Sequence, residues 1–187
     1  MADLDDDLEH LRGRLRSPEI GRLPAGPKLG AVLVPLTKGA MGWRLVLTRR
    51  TQELRSHRGE ISFPGGGVDP GEHPREAALR ESREELGILP EEVEILGPLP
   101  PVVTNVSRYV ILPWVGIVST VVFTPSPTEI AEVIEIPLEH LGSPAARRDQ
   151  RFIRAGSISI SPAYDVGANT IWGATARIIS HLLDLIE

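Results

Sequence analysis

Between residues 65 and 88 the chain reads GGGVDPGEHPREAALRESREELGI. Pro74–Leu86 carries the marks of a helix: a proline near its start, acids and arginines through its turns, and Gly87 as a stop. At about 100° per residue, Glu85 lies about 40° round from Glu81, and Glu84 about 60° to the other side. Glu81, Glu84 and Glu85 are therefore expected to share one stripe. Such crowding is unfavourable without compensation, because like charges on neighbouring helical positions repel. A hard divalent cation compensates well, since it takes oxygen ligands and favours the ionised carboxylates. The glycines at 65–67 permit a tight turn that offers a backbone carbonyl or amides beside such an ion. An ion held there could polarise a phosphoryl oxygen, bind an attacking water and neutralise charge that builds up in a transition state. Leu79, Ser82 and Leu86 lie about 100–160° from Glu81 and are the expected core contacts. Arg80, four residues before Glu84, is placed to hold that carboxylate or reach back to the loop.

The remaining chain must position this helix. Leu29–Pro35 and Trp43–Leu47 read as strands, joined by a turn-rich TKGAMG connection. Thr48–Gly59 reads as a polar loop with four arginines, and Glu60–Phe63 as a short extended piece ended by Pro64 and the glycines. Val93–Leu99, Tyr109–Val121 and Ile130–Ile136 read as further strands. Trp172–Ile186 reads as a closing helix with Ile178, Ile179, Leu182, Leu183 and Ile186 at helical spacing. The order predicts an α/β (α+β) layer fold. Leu4, Leu8, Leu11 and Leu15 predict a short helix over 3–15. The proline- and glycine-broken stretch that follows marks 1–27 as an appendage to a domain over 28–187.

A chain of 187 residues with 41% hydrophobic side chains can build one full core. Twenty basic against twenty-five acidic residues give a net charge of -5, which lacks the basic excess of a nucleic-acid binder. There is no cysteine, so thiolate metal sites and thiol nucleophiles are absent. No apolar run approaches the ~18 residues of a membrane span, and the acidic start does not read as a signal peptide. The expectation is a cytoplasmic protein without membrane or nucleic-acid partners. Trp43, Trp114, Trp172, Tyr109 and Tyr164 are scattered, which favours packing roles over a base-stacking platform.

The 65–88 segment resembles the Nudix box, whose form is G, five residues, E, seven residues, R-E, an apolar residue, any residue, E-E, any residue, G, an apolar residue. Gly66, Glu72, Arg80, Glu81, Glu84, Glu85, Gly87 and Ile88 stand at its fixed positions, and only Ser82 departs. The resemblance implies a Nudix hydrolase with a mixed β-sheet sandwiched between helices. It implies Mg2+ or Mn2+ held by Glu81, Glu85 and Glu84, with Gly66 beside the ion and one glutamate orienting or deprotonating the attacking water. Glu72 is expected to pair with Arg80 and stiffen the loop. A later carboxylate often joins this set in the family; Glu129 occupies its place, with Glu132 as the rival.

VLTRRTQELRSHRGEISFPGG, residues 46–66, is similar to the extended signature of the coenzyme A diphosphatase branch. Leu47, Thr48, Arg50, Arg55, His57, Gly59, Phe63, Pro64, Gly65 and Gly66 match it. Glu60, Thr51 and Glu72 replace the glutamine, the serine or alanine, and the aspartate common there. The substrate this implies is a small nucleotide diphosphate of coenzyme A type, cut to 3',5'-ADP and 4'-phosphopantetheine. Arg50, Arg55 and Arg58 would offer planar forks to its phosphates, and His57 would shape the loop. A second copy in a homodimer is the candidate protein partner. The rival readings are a Nudix hydrolase of a nucleotide sugar or dinucleotide, and a non-catalytic binding module on the same fold.

Overall fold

The computed structural model describes residues 11–15, 28–52, 59–104, 109–119, 122–154 and 157–186. The central strand is β1 (Leu29–Gly39), buried almost without alternation because both faces of its sheet are covered. β2 (Gly42–Arg50) returns beside it, with Gly39 opposite Gly42, so the connection is a two-residue turn rather than the longer one expected from sequence. β3 (Ile61–Ser62), β4 (Gly65–Gly67), β5 (Val93–Pro98), β6 (Val102–Val103), β7 (Val110–Val118) and β8 (Ile130–Pro137) complete a mixed sheet. β7 runs parallel to β1 along Leu29–Leu36, while β5 and β6 are antiparallel to β7.

One irregularity of this sheet creates the setting for the site. β1 and β2 pair only between Leu36–Gly39 and Gly42–Leu45. Beyond Leu45, β2 parts from β1 and that edge pairs instead with β3, while its other edge pairs with β8 from Arg44 onward. The vacated edge of β1, at Gly30–Val32, is taken by β4. Residues 61–67 therefore span the gap between the parted strands, and the Leu33 amide donates to the Pro64 carbonyl within it (3.0 Å).

Helices cover the sheet on both faces. On one, α2 (Pro74–Leu86) packs Ala77, Ala78 and Leu86 against Ala31, Leu33, Val46 and Trp114. On the other, Val34, Leu36, Leu45, Leu47 and Val115 meet Ile178, Ile179 and Leu182 of α4 (Gly173–Ile186). The mixed α/β architecture expected from sequence is the one observed. Helical residues 11–15 (α1) join the second core, with Leu11 and Leu15 buried, Arg12 paired with Glu94 and Arg14 donating to the Leu185 carbonyl. The rest of the expected 3–15 helix lies outside the described residues. Among the described residues no helix is long and apolar enough to cross a membrane.

Residues 138–171 hold structure that sequence patterns did not reveal. A short α3 (Leu138–Gly142) precedes a three-stranded antiparallel sheet of β9 (Arg147–Arg154), β10 (Ser157–Val166) and β11 (Asn169–Ile171). The sequence of β9, RRDQRFIR, is too polar to register as a strand by burial pattern. β10 alternates serine with isoleucine, but Ile158 and Ile160 stand exposed while Ala163 and Tyr164 are fully buried. Trp172 departs from its expected packing role: it is 47% exposed and meets Phe152 at a tilted 6.5 Å.

The burial of α1 yields a test of whether it belongs to the folded unit. Leu15→Ala is expected to lower unfolding free energy by about 2–5 kcal/mol in urea titrations. An unchanged midpoint would show that the segment does not share the core.

Candidate active site

The positioning of α2 begins at its ends. His73 caps the N-terminus: its Nδ1 accepts from the Arg75 amide (3.2 Å), and Pro74 occupies the first turn, where its missing N–H costs nothing. Gly87 ends the helix in the left-handed conformation (φ 72°), donating its amide to the Arg83 carbonyl (2.9 Å). The last carbonyls, which a helix cannot satisfy internally, are taken by the following chain. Thr124 donates to the Leu86 carbonyl and Ser126 to the Glu85 carbonyl, each at 2.9 Å. The segment leading to Glu129 is thus fastened to the end of the helix that carries the box glutamates.

The three box glutamates differ sharply in environment. Glu85 does not lie on an exposed stripe: it is 2% exposed and sits on the sheet-facing side with Ala77, Ala78, Ser82 and Leu86. Its two oxygens are held separately, one by the Gly65 amide (3.0 Å) and the other by an Arg50 guanidinium nitrogen (3.0 Å). Burial pushes its pKa up from the ordinary 4.5 to about 7; the Gly65 amide and Arg50 pull it down, and the nearby Glu81 and Glu129 push it up. Glu81 is partly covered and lies against Gly66, where a Cβ would come within 2.5 Å of its carboxyl carbon. Only glycine lets that carboxylate lie so close to the backbone. Glu84 is the outermost of the three, 59% exposed.

Arg80 organises the outer side of this cluster. Its guanidinium meets both oxygens of Glu72 (2.9 and 3.1 Å), the Glu81 carboxylate (2.7 Å) and the Gly67 carbonyl (3.1 Å). Glu84 lies farther off, at 3.7 Å. Glu72 also accepts from the Asp69 amide (3.0 Å), and the Arg80 bond, reinforced by that amide, holds its pKa below the usual glutamate range. The chelated fork joins the loop before α2 to the helix itself.

Glu129 joins the inner group, at 3.6 Å from Arg50, whereas Glu132 is drawn away by Arg49 (2.8 Å). Arg49 also bonds the Asn169 side chain (2.8 Å), on the route to the second sheet. Arg50 therefore sits between two carboxylates, a placement its sequence context did not disclose. Arg55, His57 and Arg58 lie outside the described residues. Of the three expected core contacts of α2, Ser82 and Leu86 are fully buried, Ser82 donating to the Ala78 carbonyl (2.7 Å), whereas Leu79 is only half-buried and lines a surface cleft with Glu76, Arg80, Arg83, Glu84 and Pro90.

Among the described residues, no three acidic or histidine side chains stand close enough to form a ready cation site. Arg50 and Arg80 lie between the carboxylates and hold them to other partners. The donors nevertheless suit a hard divalent ion, being carboxylate and carbonyl oxygens. The bare backbone of Gly66 lets the Glu81 carboxylate lie directly against it, and a guanidinium charge already lies between Glu85 and Glu129, so the donor set is compatible with a positive ion.

Comparison with known proteins places this geometry. The NUDIX domain model matches residues 27–155. The chain is similar to a protein of Shigella flexneri named uncharacterized Nudix hydrolase NudL, with 41% identity over 144 residues, covering 74% of this chain and 73% of that one. A protein of the same name from Citrobacter koseri is 36% identical over 186 residues, covering 96% and 92%. Among solved structures, a Caenorhabditis elegans Ap4A hydrolase complex superposes with a TM-score of 0.50 at 25% identity, covering 60% of this chain and 81% of that one. The DR0079 structure from Deinococcus radiodurans gives a TM-score of 0.56 at 19% identity, covering 86% and 87%, and supports the fold alone.

The raised pKa of Glu85 sets a pH dependence for the metal-free protein. Its folded value, about 7, exceeds the ordinary 4.5, so between these values the folded state binds more protons than the unfolded chain. Stability should fall as pH rises through that window, by on the order of 3 kcal/mol. Urea titrations in chelator at pH 5 and pH 8 should show this loss in the native chain and a flattened profile in Glu85→Gln. A variant with an undiminished slope would assign the effect elsewhere.

Proposed function

The chain belongs to the Nudix hydrolase family, and from that premise we propose that its diphosphate substrate is coenzyme A or an acylated derivative. The family architecture is that of a pyrophosphohydrolase, and the general activity is hydrolysis of a diphosphate bond. The observation that carries the site reading is that the Gly65–Gly66 segment meets both Glu85 and Glu81, while Arg50 links Glu85 to Glu129. The coenzyme A reading is supported by the match of residues 47–66 to the branch signature, which includes Arg50 and Arg55, and by the further arginine Arg58 between its His57 and Gly59.

In this reading Glu81 and Glu85, with Glu84 and the Gly66 carbonyl, hold Mg2+ or Mn2+. The ion, when bound, supplies Lewis-acid polarisation of the diphosphate and charge neutralisation at the attacked phosphorus. The chain's own residues do the rest. The Gly65 amide fixes one Glu85 oxygen, which turns the carboxylate toward the site. Arg80 and Glu72 brace the loop so that Gly66 stays against Glu81. The water proton passes to a carboxylate oxygen of this cluster, and Glu84 and Glu129, the two with solvent-facing carboxylates, are the acceptors the geometry offers. Water attack at phosphorus breaks the phosphoanhydride and yields 3',5'-ADP and 4'-phosphopantetheine. Arg55 and Arg58 are assigned to the substrate's phosphates as planar donors. A dinucleotide substrate is the second reading, supported by the likeness to the nematode Ap4A hydrolase.

Chromatography of products after incubation with Mg2+ or Mn2+ separates these readings. Metal-dependent appearance of 3',5'-ADP and 4'-phosphopantetheine from coenzyme A is the expected result. Intact coenzyme A alongside cleaved Ap4A would transfer the assignment to dinucleotides.

Substitution tests the roles. Glu81→Gln and Glu85→Gln should each lower kcat by roughly 10²-fold or more while circular dichroism stays native. Arg55→Ala and Arg58→Ala should raise KM for coenzyme A more than for its analogue lacking the 3'-phosphate. Equal increases on both substrates would remove these arginines from 3'-phosphate recognition.

A further inference from the structure

Arg50 and Arg80 both stand among the acids of the site, but they are held in different ways. Five carboxylates (Glu72, Glu81, Glu84, Glu85 and Glu129) lie within ion-pair distance of these two guanidiniums. Arg80 is chelated by Glu72 and tied to the Gly67 carbonyl as well as to Glu81, so releasing it would break the loop–helix brace. Arg50 makes one close contact, to Glu85 at 3.0 Å, and one longer one, to Glu129 at 3.6 Å. The Glu129 half of that bridge is 44% exposed and open to water, and among the described residues the Arg50 side chain hydrogen-bonds only to Glu85.

The backbone around Arg50 is fixed, so the side chain is the movable part. The pairing of β2 with β8 shifts register between Arg49 and Arg50, the extra residue, Ala131, lying on β8, and consecutive side chains of β2 point to opposite faces. Arg49 turns to Glu132 and Asn169, and Arg50 to Glu85 and Glu129. The Arg50 amide donates to the Glu60 carbonyl, its own carbonyl accepts from the Gly59 amide, and the next amide, of Thr51, donates to the Glu129 carbonyl. A buried carboxylate needs a positive partner. In the metal-free protein Glu85 finds one in Arg50, at the point where Glu85 and Glu129 would otherwise face a cation together.

We propose that Arg50 is an exchangeable counter-cation: it bridges Glu85 and Glu129 until a divalent ion loads, gives up that bridge to the ion, and frees its guanidinium for the substrate's phosphates. This rests on the metal-binding reading above and adds a competition to it. Two full positive charges of a compact ion displace one delocalised charge, and the released arginine gains a better partner in the incoming diphosphate. Arg50 is then a positioning residue before loading and a phosphate donor after it.

The test uses Mn2+ binding, read by electron paramagnetic resonance, and melting temperature, with chelator-stripped protein. Arg50→Gln should melt lower than the native chain when metal-free, yet bind Mn2+ several-fold more tightly and show a larger Mn2+-induced rise in melting temperature. Arg50→Lys, with a point charge that cannot span both carboxylates, should fall between the two and serves if the glutamine variant fails to fold. Arg49→Gln, which loses the Glu132 pair on the other side of the strand, should leave Mn2+ affinity unchanged. Unchanged or weaker Mn2+ binding in both Arg50 variants would overturn the exchange while leaving the metal site standing. Absence of Mn2+ binding by the native chain, equal to that of Glu81→Gln, would instead overturn the metal reading and the exchange with it.

Discussion

A carboxylate removed from water must be given partners or lose its charge, and the structure of this site follows from how Glu85 meets that requirement. Its position on α2 is a core position, shared with Ala77, Ala78, Ser82 and Leu86. One oxygen is held by a backbone amide on the segment that spans the parted strands, and the other by an arginine on β2. The helix, the strand pair and the glycine segment therefore meet at a single side chain. The departure of β2 from β1 is what makes this possible: a fully paired hairpin would leave no edge for β4 and no free Gly65 amide.

The division of labour between the two arginines follows from the same electrostatics. Arg80 faces carboxylates on the outer side and is chelated, so it behaves as a strut between loop and helix. Arg50 faces the inner side and is held at two separate points of unequal length. Identical side chains are thus held differently because their partners present different geometry: two oxygens of one carboxylate match the guanidinium fork, whereas single oxygens of two different residues do not.

Much of this was legible in the sequence, and the remainder was hidden for identifiable reasons. Pro74 and Gly87 gave the limits of α2, and Gly66 and Arg80 stood at spacings that pointed to a loop bound to a helix. The direction of Glu85 was not legible. Helical periodicity gives angles between side chains, but the assignment of a core side relies on apolar residues marking it, and a buried glutamate breaks that rule. Leu79 was misplaced for the same reason, since small Ala77 and Ala78 mark the buried side that a larger residue was expected to fill. Choosing between Glu129 and Glu132 required the third dimension, because Glu132 lies on β8 and Glu129 in the turn before it, on either side of a register shift against β2. The second sheet escaped because β9 is rich in arginine, and the short serine–isoleucine alternation of β10 does not mark a buried face, its Ile158 and Ile160 being exposed.

The fastening of the chain after α2 has a further consequence for how such a site tolerates change. Ser126 is tied to the Glu85 carbonyl, and Glu129 and Ile130 both donate back to the Ser126 carbonyl in a closed turn. Between the helix end and Glu129 there is thus a gauge block of fixed length. Side chains within it can be exchanged at small cost, but one residue added or removed displaces Glu129 by up to about 3.8 Å, a full Cα step. Drift in this part of the chain is therefore constrained in length more than in composition, and the distance between two of the site's acids is stored as a count of peptide units.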